Sequence, residues 1–151
     1  MARVIVVYET KYGNTRIAAE EIIGGMGEVS GIEVHLCQPK ELDWDSITGY
    51  DAIIIGSPTH AGRPTMGIRR FIGRLGKLRI EGKMTAVFDL RLSPASGHVV
   101  ARMEKQIAKD VPGLKLLAPG ISLQVTGIKG PLAEGELLRC REFGQKIASR
   151  L

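Results

Sequence analysis

Apolar residues along this chain come in short runs and in helical stripes, and the two alternate. Arg3–Tyr8 (RVIVVY) is a continuous β-branched run, the pattern of a strand covered on both faces. Thr15–Met26 places Ala18, Ala19, Ile22, Ile23 and Met26 on one face of a helix, with Gly24-Gly25-Met26-Gly27 read as its stop. Ile32–Leu36 is a short second strand, and Leu42–Ile47 a loose connector. Asp51–Gly56 (DAIIIG) is a third strand, apolar throughout. Thr65–Leu75 carries Ile68, Phe71, Ile72 and Leu75 at helical spacing. Lys83–Leu90 is the fourth strand, with Phe88 in its core. Gly97–Lys109 is a helix with Val100, Met103 and Ile107 inside. Leu114–Leu117 and Ile121–Val125 share a fifth strand, broken by Pro119-Gly120. Ala133–Leu151 closes the chain as a helix with Leu137, Cys140, Gly144, Ile147 and Leu151 in line.

This alternation predicts an α/β fold: a doubly wound five-stranded parallel sheet with helices on both faces. Five strands in this length suit the order 2-1-3-4-5. In such sheets ligands bind beyond the carboxyl ends of the strands, at the switch point between strands 1 and 3.

The 151 residues make one domain, residues 1–151, able to bury roughly two-thirds of the unfolded chain's surface without a metal or disulfide. Hydrophobic residues at 44% and charged residues at 25% are ordinary globular composition. No signal-like start and no apolar run of about 18 residues is present, so the expectation is a cytoplasmic protein without a membrane span. Cys37 and Cys140 fit no metal spacing, and Cys140 reads as a buried thiol. The net charge of +5 raises nucleic acid as a partner. Aromatics at 5% are too few for a base-stacking platform, which argues against it. His35 and His98 read as surface residues on a strand and a loop.

Three loops meet at the carboxyl edge. Glu9-Thr10-Lys11-Tyr12-Gly13-Asn14-Thr15 follows strand 1 and offers two hydroxyls, an amide, a glycine and a helix amino terminus. Unpaired N–H groups and the helix dipole make that a phosphate cradle. It has neither the G-x-G-x-x-G nor the Walker pattern, so it is neither a dinucleotide nor a triphosphate loop. The plain alternative is a helix capped by Asn14 or Thr15 with nothing bound. Ser57-Pro58-Thr59-His60-Ala61-Gly62-Arg63-Pro64-Thr65 follows strand 3, and Asp89-Leu90-Arg91-Leu92-Ser93-Pro94-Ala95-Ser96-Gly97 follows strand 4.

YETKYGNT resembles the flavodoxin phosphate loop, Thr/Ser-x-x-Gly-Asn-Thr, with Tyr12 where many members have Thr. IIIGSPTHAG resembles the first flavin-flanking loop, and GPLAEGELLRCREFGQKIA the closing helix. The likeness covers the whole chain and leans toward the flavodoxin domains of flavodiiron proteins and short stand-alone relatives. It implies an FMN-binding electron carrier. Thr10, Lys11, Tyr12, Gly13, Asn14 and Thr15 would then hold the FMN phosphate. Pro58, Thr59, His60, Ala61 and Gly62 would form one wall of the ring pocket, and Asp89, Leu90 and Arg91 the start of the other. Arg91, Arg63 and Lys11 would set positive charge near the flavin against Asp89 and Glu9. No catalytic side chain and no metal ligand is implied.

Two departures matter. The flavin-sandwiching Trp and Tyr of many flavodoxins are missing: the only Trp is Trp44, in a connector, and the first-wall position holds His60. The chain is also basic where typical flavodoxins are acidic. Its redox partner is therefore expected to present an acidic docking surface, with the protein a monomer or homodimer. Two other readings stay open: an FMN-dependent reductase of quinones or other small acceptors, and a flavodoxin-fold binding or regulatory module without flavin.

Overall fold

A computed structural model describes residues 1–151. Its strands are β1 (Ala2–Tyr8), β2 (Ile32–Cys37), β3 (Ala52–Pro58), β4 (Met84–Arg91), β5 (Lys115–Leu116) and β6 (Ile121–Gln124). Its helices are α1 (Asn14–Met26), α2 (Met66–Leu75), α3 (Val99–Asp110) and α4 (Glu136–Ser149). The connector over residues 42–47 leads into one 3-10 turn, Trp44–Gly49, and another, Pro39–Glu41, precedes it.

All strand pairs are parallel, in the order β2-β1-β3-β4-β5, with β6 also on β4. The expected order 2-1-3-4-5 holds, and the fifth position is split as the Pro119-Gly120 pair suggested. The split lets the chain hug its neighbours: a Cβ on Gly120 would stand 2.6 Å from Val100 Cγ1 and 2.8 Å from the Val87 carbonyl. β1, β3 and β4 are buried almost end to end, which is why they read as unbroken apolar runs. β2 lies at the edge and exposes Glu33 and His35.

The sheet separates two cores. On one side Ala18, Ala19, Ile22 and Met26 of α1 pack with Cys140, Phe143, Ile147 and Ala148 of α4. On the other, Ile68, Phe71, Ile72 and Leu75 of α2 pack with Val99, Met103 and Ile107 of α3.

The expected end of α1 at Met26 holds, with Gly27 as its C-cap, but Gly24 and Gly25 lie inside the helix. Gly25 is there for contact, since a Cβ would lie 2.0 Å from the Arg141 carbonyl oxygen of α4. Gly144 of α4 answers it, with the Ile22 carbonyl oxygen 2.0 Å from its missing Cβ. The helices touch backbone to backbone, so glycine serves packing rather than punctuation. Along α4 the buried stripe is Cys140, Phe143, Gly144, Ile147 and Ala148, while Leu137 and Leu151 are exposed. The stripe turns one position away from the predicted line because Phe143 and Ala148 face the sheet. Burial pushes the Cys140 thiol up to about 12, consistent with an inert structural cysteine.

Candidate functional site

A cleft of about 370 Å³ opens at the carboxyl edge of β1, β3 and β4. Its floor is the loop from Glu9 to Thr15. Gly13 is the N-cap of α1 at φ +92, a left-handed conformation that glycine adopts without strain. Its N–H donates to Thr10 Oγ1 at 2.8 Å, which closes the loop on itself.

No side chain caps α1. The Asn14 amide instead donates to the Lys129 carbonyl at 3.0 Å, and the first backbone bond of the helix is Ile17 N–H to the Gly13 carbonyl. The N–H groups of Asn14, Thr15 and Arg16 thus receive no acceptor from the protein. The first turn holds no acidic residue. By contrast, the Thr65 hydroxyl accepts from Ile68 N–H and caps α2. The plain alternative of a side-chain cap by Asn14 or Thr15 is therefore wrong for α1. Three free donors, the positive end of the dipole and the Thr10 and Thr15 side chains converge on one spot, which fits a phosphate. Lys11 and Lys129 set their ammonium groups 5.6 and 5.9 Å from the centre of the Tyr12 ring, adding positive charge at the same corner.

The second loop makes one wall from Pro58, Thr59, His60 and Ala61. Thr59 is tied across the sheet edge: its N–H and its hydroxyl both donate to the Leu90 carbonyl, at 3.0 and 2.8 Å. His60 and Arg63 exchange backbone hydrogen bonds of 2.8 and 3.0 Å around Ala61 (φ +51) and Gly62 (φ +76). Positive φ at both central residues is the type I′ hairpin requirement, and for Ala61 it is strained. Glu9 holds the loop's far end, accepting from the Thr65 hydroxyl at 2.5 Å.

Leu90, Arg91, Leu92 and Ser96 form the opposite wall. The two walls meet where Gly97 presses on Gly62; a Cβ on Gly97 would stand 2.7 Å from the Gly62 carbonyl oxygen.

Of the predicted site residues, Thr10, Lys11, Tyr12, Asn14, Thr15, Pro58, Thr59, His60, Ala61, Leu90 and Arg91 line this one cleft. Gly13 and Gly62 shape the backbone around it without lining it. Asp89 does not belong to the wall. Its side chain is buried, with Oδ2 accepting from Val100 N–H at 3.0 Å and from the Ser122 hydroxyl at 3.2 Å. It caps α3 from beneath, and burial raises its carboxyl above the usual carboxylate value. Arg63 turns away from the cleft into a separate groove between α2 and α3. Trp44 is also far from the site, packed on Phe71 at 5.3 Å with the Arg74 guanidinium 4.1 Å above its ring.

Sequence reasoning missed the side contributed by Val125 and Ile128. The loop after β6 is fixed by the Asn14–Lys129 bond, and a Cβ on Gly130 would strike the Asn14 side chain at 2.4 Å. Residues 115 positions apart meet there, and no local pattern announces such a contact.

This architecture, with an anion cradle at one end of an edge cleft and two loop walls at the other, is matched by known proteins. The family model for the flavodoxin domain fits residues 5–122. A flavodoxin from Aquifex aeolicus is 29% identical, over 98% of this chain and 86% of its own length. The structure of a flavodoxin from the domain Archaea superposes with a TM-score of 0.83 at 23% identity, covering 98% of this chain and 97% of that one. A flavodiiron core from Synechocystis superposes at 0.78 and 21% identity, covering 98% of this chain but 35% of that one. The chain belongs to the flavodoxin domain family, whose members bind FMN and transfer electrons to redox partners.

Proposed function

We propose that this protein holds FMN with its phosphate on Thr10–Thr15 and its ring between the Pro58–Ala61 and Leu90–Leu92 walls, and carries electrons to an acidic redox partner in the cytoplasm. The observation that carries the assignment is the open amino terminus of α1, with three N–H groups that the chain leaves without acceptors. When bound, FMN supplies the one- and two-electron chemistry. The chain's own residues do the rest. Asn14, Thr15 and Arg16 donate backbone N–H groups to the phosphate, and Thr10 and Thr15 offer hydroxyls. Lys11 and Lys129 compensate its charge across the Tyr12 ring. Thr59, locked to the Leu90 carbonyl, keeps the two walls at a fixed separation. Leu92 and Ile128, both exposed, flank the cleft and leave the ring edge accessible to a partner.

The electron-carrier reading is favoured over a reductase with its own substrate because the likeness to flavodoxins runs over 98% of this chain. A flavin-free module is disfavoured because the chain leaves three N–H groups without acceptors at the cleft floor, an arrangement an anion can complete.

The test is a titration of flavin-free protein with FMN and with riboflavin. Charge-assisted hydrogen bonds are each worth about 1.5–3 kcal/mol, so riboflavin should bind on the order of a hundredfold more weakly or worse. Equal affinities would remove the phosphate assignment.

A further inference from the structure

The basic residues are not spread evenly. α2 carries Arg69, Arg70 and Arg74 with no acidic residue, and α3 carries Arg102, Lys105 and Lys109 against Glu104 and Asp110. These two helices together hold +4 of the chain's +5. α1 and α4 balance: Arg16, Arg139, Arg141 and Lys146 face Glu20, Glu21, Glu136 and Glu142 in number.

Between α2 and α3 runs a groove of about 310 Å³. Arg63, Arg69, Arg102, Lys105 and Lys109 line it, with Asp110 the only carboxylate. None of the five cations takes part in an ion pair; every ion pair of the chain lies elsewhere. The Arg69 Nε is buried without an acceptor, a donor that folding leaves unmet. The Gln106 side chain donates to the Arg69 carbonyl at 2.9 Å and ties the two helices together under the groove.

The groove adjoins the flavin cleft through a single turn. His60 lines the cleft, Arg63 lines the groove, and the two are joined by paired backbone hydrogen bonds of 2.8 and 3.0 Å. A molecule lying across the cations would therefore rest beside the first wall of the flavin pocket. No aromatic ring lines the groove, so it offers a nucleobase nothing to stack on.

We propose that the α2–α3 groove with Arg63 is the docking surface for the redox partner, and that the partner presents a carboxylate-rich protein surface. This rests on the reading of the protein as an FMN electron carrier. Five unpaired cations on one face give a field that steers an acidic protein and orients it with its near edge at the His60–Arg63 turn.

The experiment uses the protein as purified and, as probe, an acidic plant-type [2Fe–2S] ferredoxin. Calorimetry at low ionic strength compares wild type, Arg102→Glu and Lys146→Glu. Both residues are exposed and each substitution lowers the net charge by two, but Lys146 lies on α4 across the sheet. Arg102→Glu should weaken ferredoxin binding about tenfold and flatten its salt dependence, whereas Lys146→Glu should change it less than about twofold. Equal effects from the two variants would mean that only net charge matters, and would overturn the proposal. So would an unchanged affinity in Arg102→Glu. A twenty-residue oligothymidylate binding the wild type more tightly than ferredoxin, and losing that binding in Arg102→Glu, would reassign the groove to nucleic acid. Flavin content and oxidation by neutral benzoquinone are read on the same samples. A loss there counts against the cofactor assignment alone, because ferredoxin binding is also measured on flavin-free protein.

Discussion

The two helical layers of this sheet are built on opposite plans. On the α1–α4 side the backbones touch at Gly25 and Gly144, and the surface charges are paired: Arg16 with Glu20, Arg139 with Glu136, and Arg141 with both Glu21 and Glu28. On the α2–α3 side six cations stand against two carboxylates and none of the groove cations is paired. Apart from Arg139–Glu136, whose carboxylate is buried, the ion pairs on the first side lie largely in solvent and are each worth at most about 1 kcal/mol, so they matter less for stability than for neutrality. The contrast is one of task. The close, neutral layer carries the α1 amino terminus at its upper end, where position must be held. The basic layer carries the loops that border the proposed ring pocket, and on the proposed docking surface a partner arrives there. On the proposed assignment FMN spans the boundary, phosphate on the rigid side and ring on the charged side.

The sharpest way to break this comparison is to add one methyl-bearing carbon to each layer. Gly144→Val should destabilise by about 3–5 kcal/mol, because its Cβ would stand 2.0 Å from the Ile22 carbonyl oxygen and 3.0 Å from Met26 N, both backbone atoms. Gly73 in α2 has nothing within 4 Å of its missing Cβ. Gly73→Ala should therefore stabilise by about 0.5–1 kcal/mol through helix propensity. Urea unfolding of both variants measures the difference. Similar tolerance at Gly144 and Gly73 would show that the first layer is not held by backbone contact.

A second substitution separates holding the anion from holding the fold. The missing Cβ of Gly13 also has nothing within 4 Å, yet its φ is +92. Gly13→Val should cost about 1–2 kcal/mol of stability from the left-handed backbone. Its branched methyls would project at the helix end where the phosphate is placed, so FMN affinity should fall by on the order of a hundredfold or more while far-ultraviolet circular dichroism keeps its shape. A variant that purifies with a full complement of FMN would place the phosphate elsewhere.

How much of this was legible in the chain depends on the range of the interaction. Strand order and the three edge loops follow from apolar runs and from where they stop, both local signals, and eleven of the fourteen predicted site residues line the one cleft. Asp89 misled because a carboxylate at a strand end reads the same whether it faces a ligand or caps the next helix; only the Val100 and Ser122 hydrogen bonds decide. Gly25 misled for a related reason, since a glycine at a helix end and a glycine at a helix crossing are identical in one dimension. The Val125–Ile128 side was silent because it is placed by Asn14 reaching Lys129. The basic groove was visible as scattered arginines and lysines, but their convergence needed α2 and α3 side by side.

The smallest expected effect asks whether positive charge on the cleft wall reaches the cofactor. Arg91 ends β4, lines the cleft, is half-buried, and forms no ion pair with Asp89 or any other carboxylate. Its guanidinium charge is therefore free to act on negative charge added to the ring. Arg63, by contrast, points into the groove and is too far round the turn to matter as much. One positive charge on the order of 8 Å away, at an effective dielectric of about 40, gives roughly 1 kcal/mol. At about 1.4 kcal/mol per 59 mV for one electron, that is a few tens of millivolts. Arg91→Ala should lower the flavin's second one-electron potential by that amount and leave FMN affinity nearly intact, since the phosphate site lies at the other end of the cleft. Lys146→Ala, on the neutral layer, removes the same charge from an exposed position that does not line the cleft, and should move the potential by less than about 10 mV because solvent and salt screen it. A spectroelectrochemical titration reads both. An unchanged potential in Arg91→Ala would show that the positive charge on the cleft wall does not tune the flavin; equal shifts in the two variants would show that the flavin senses net charge alone.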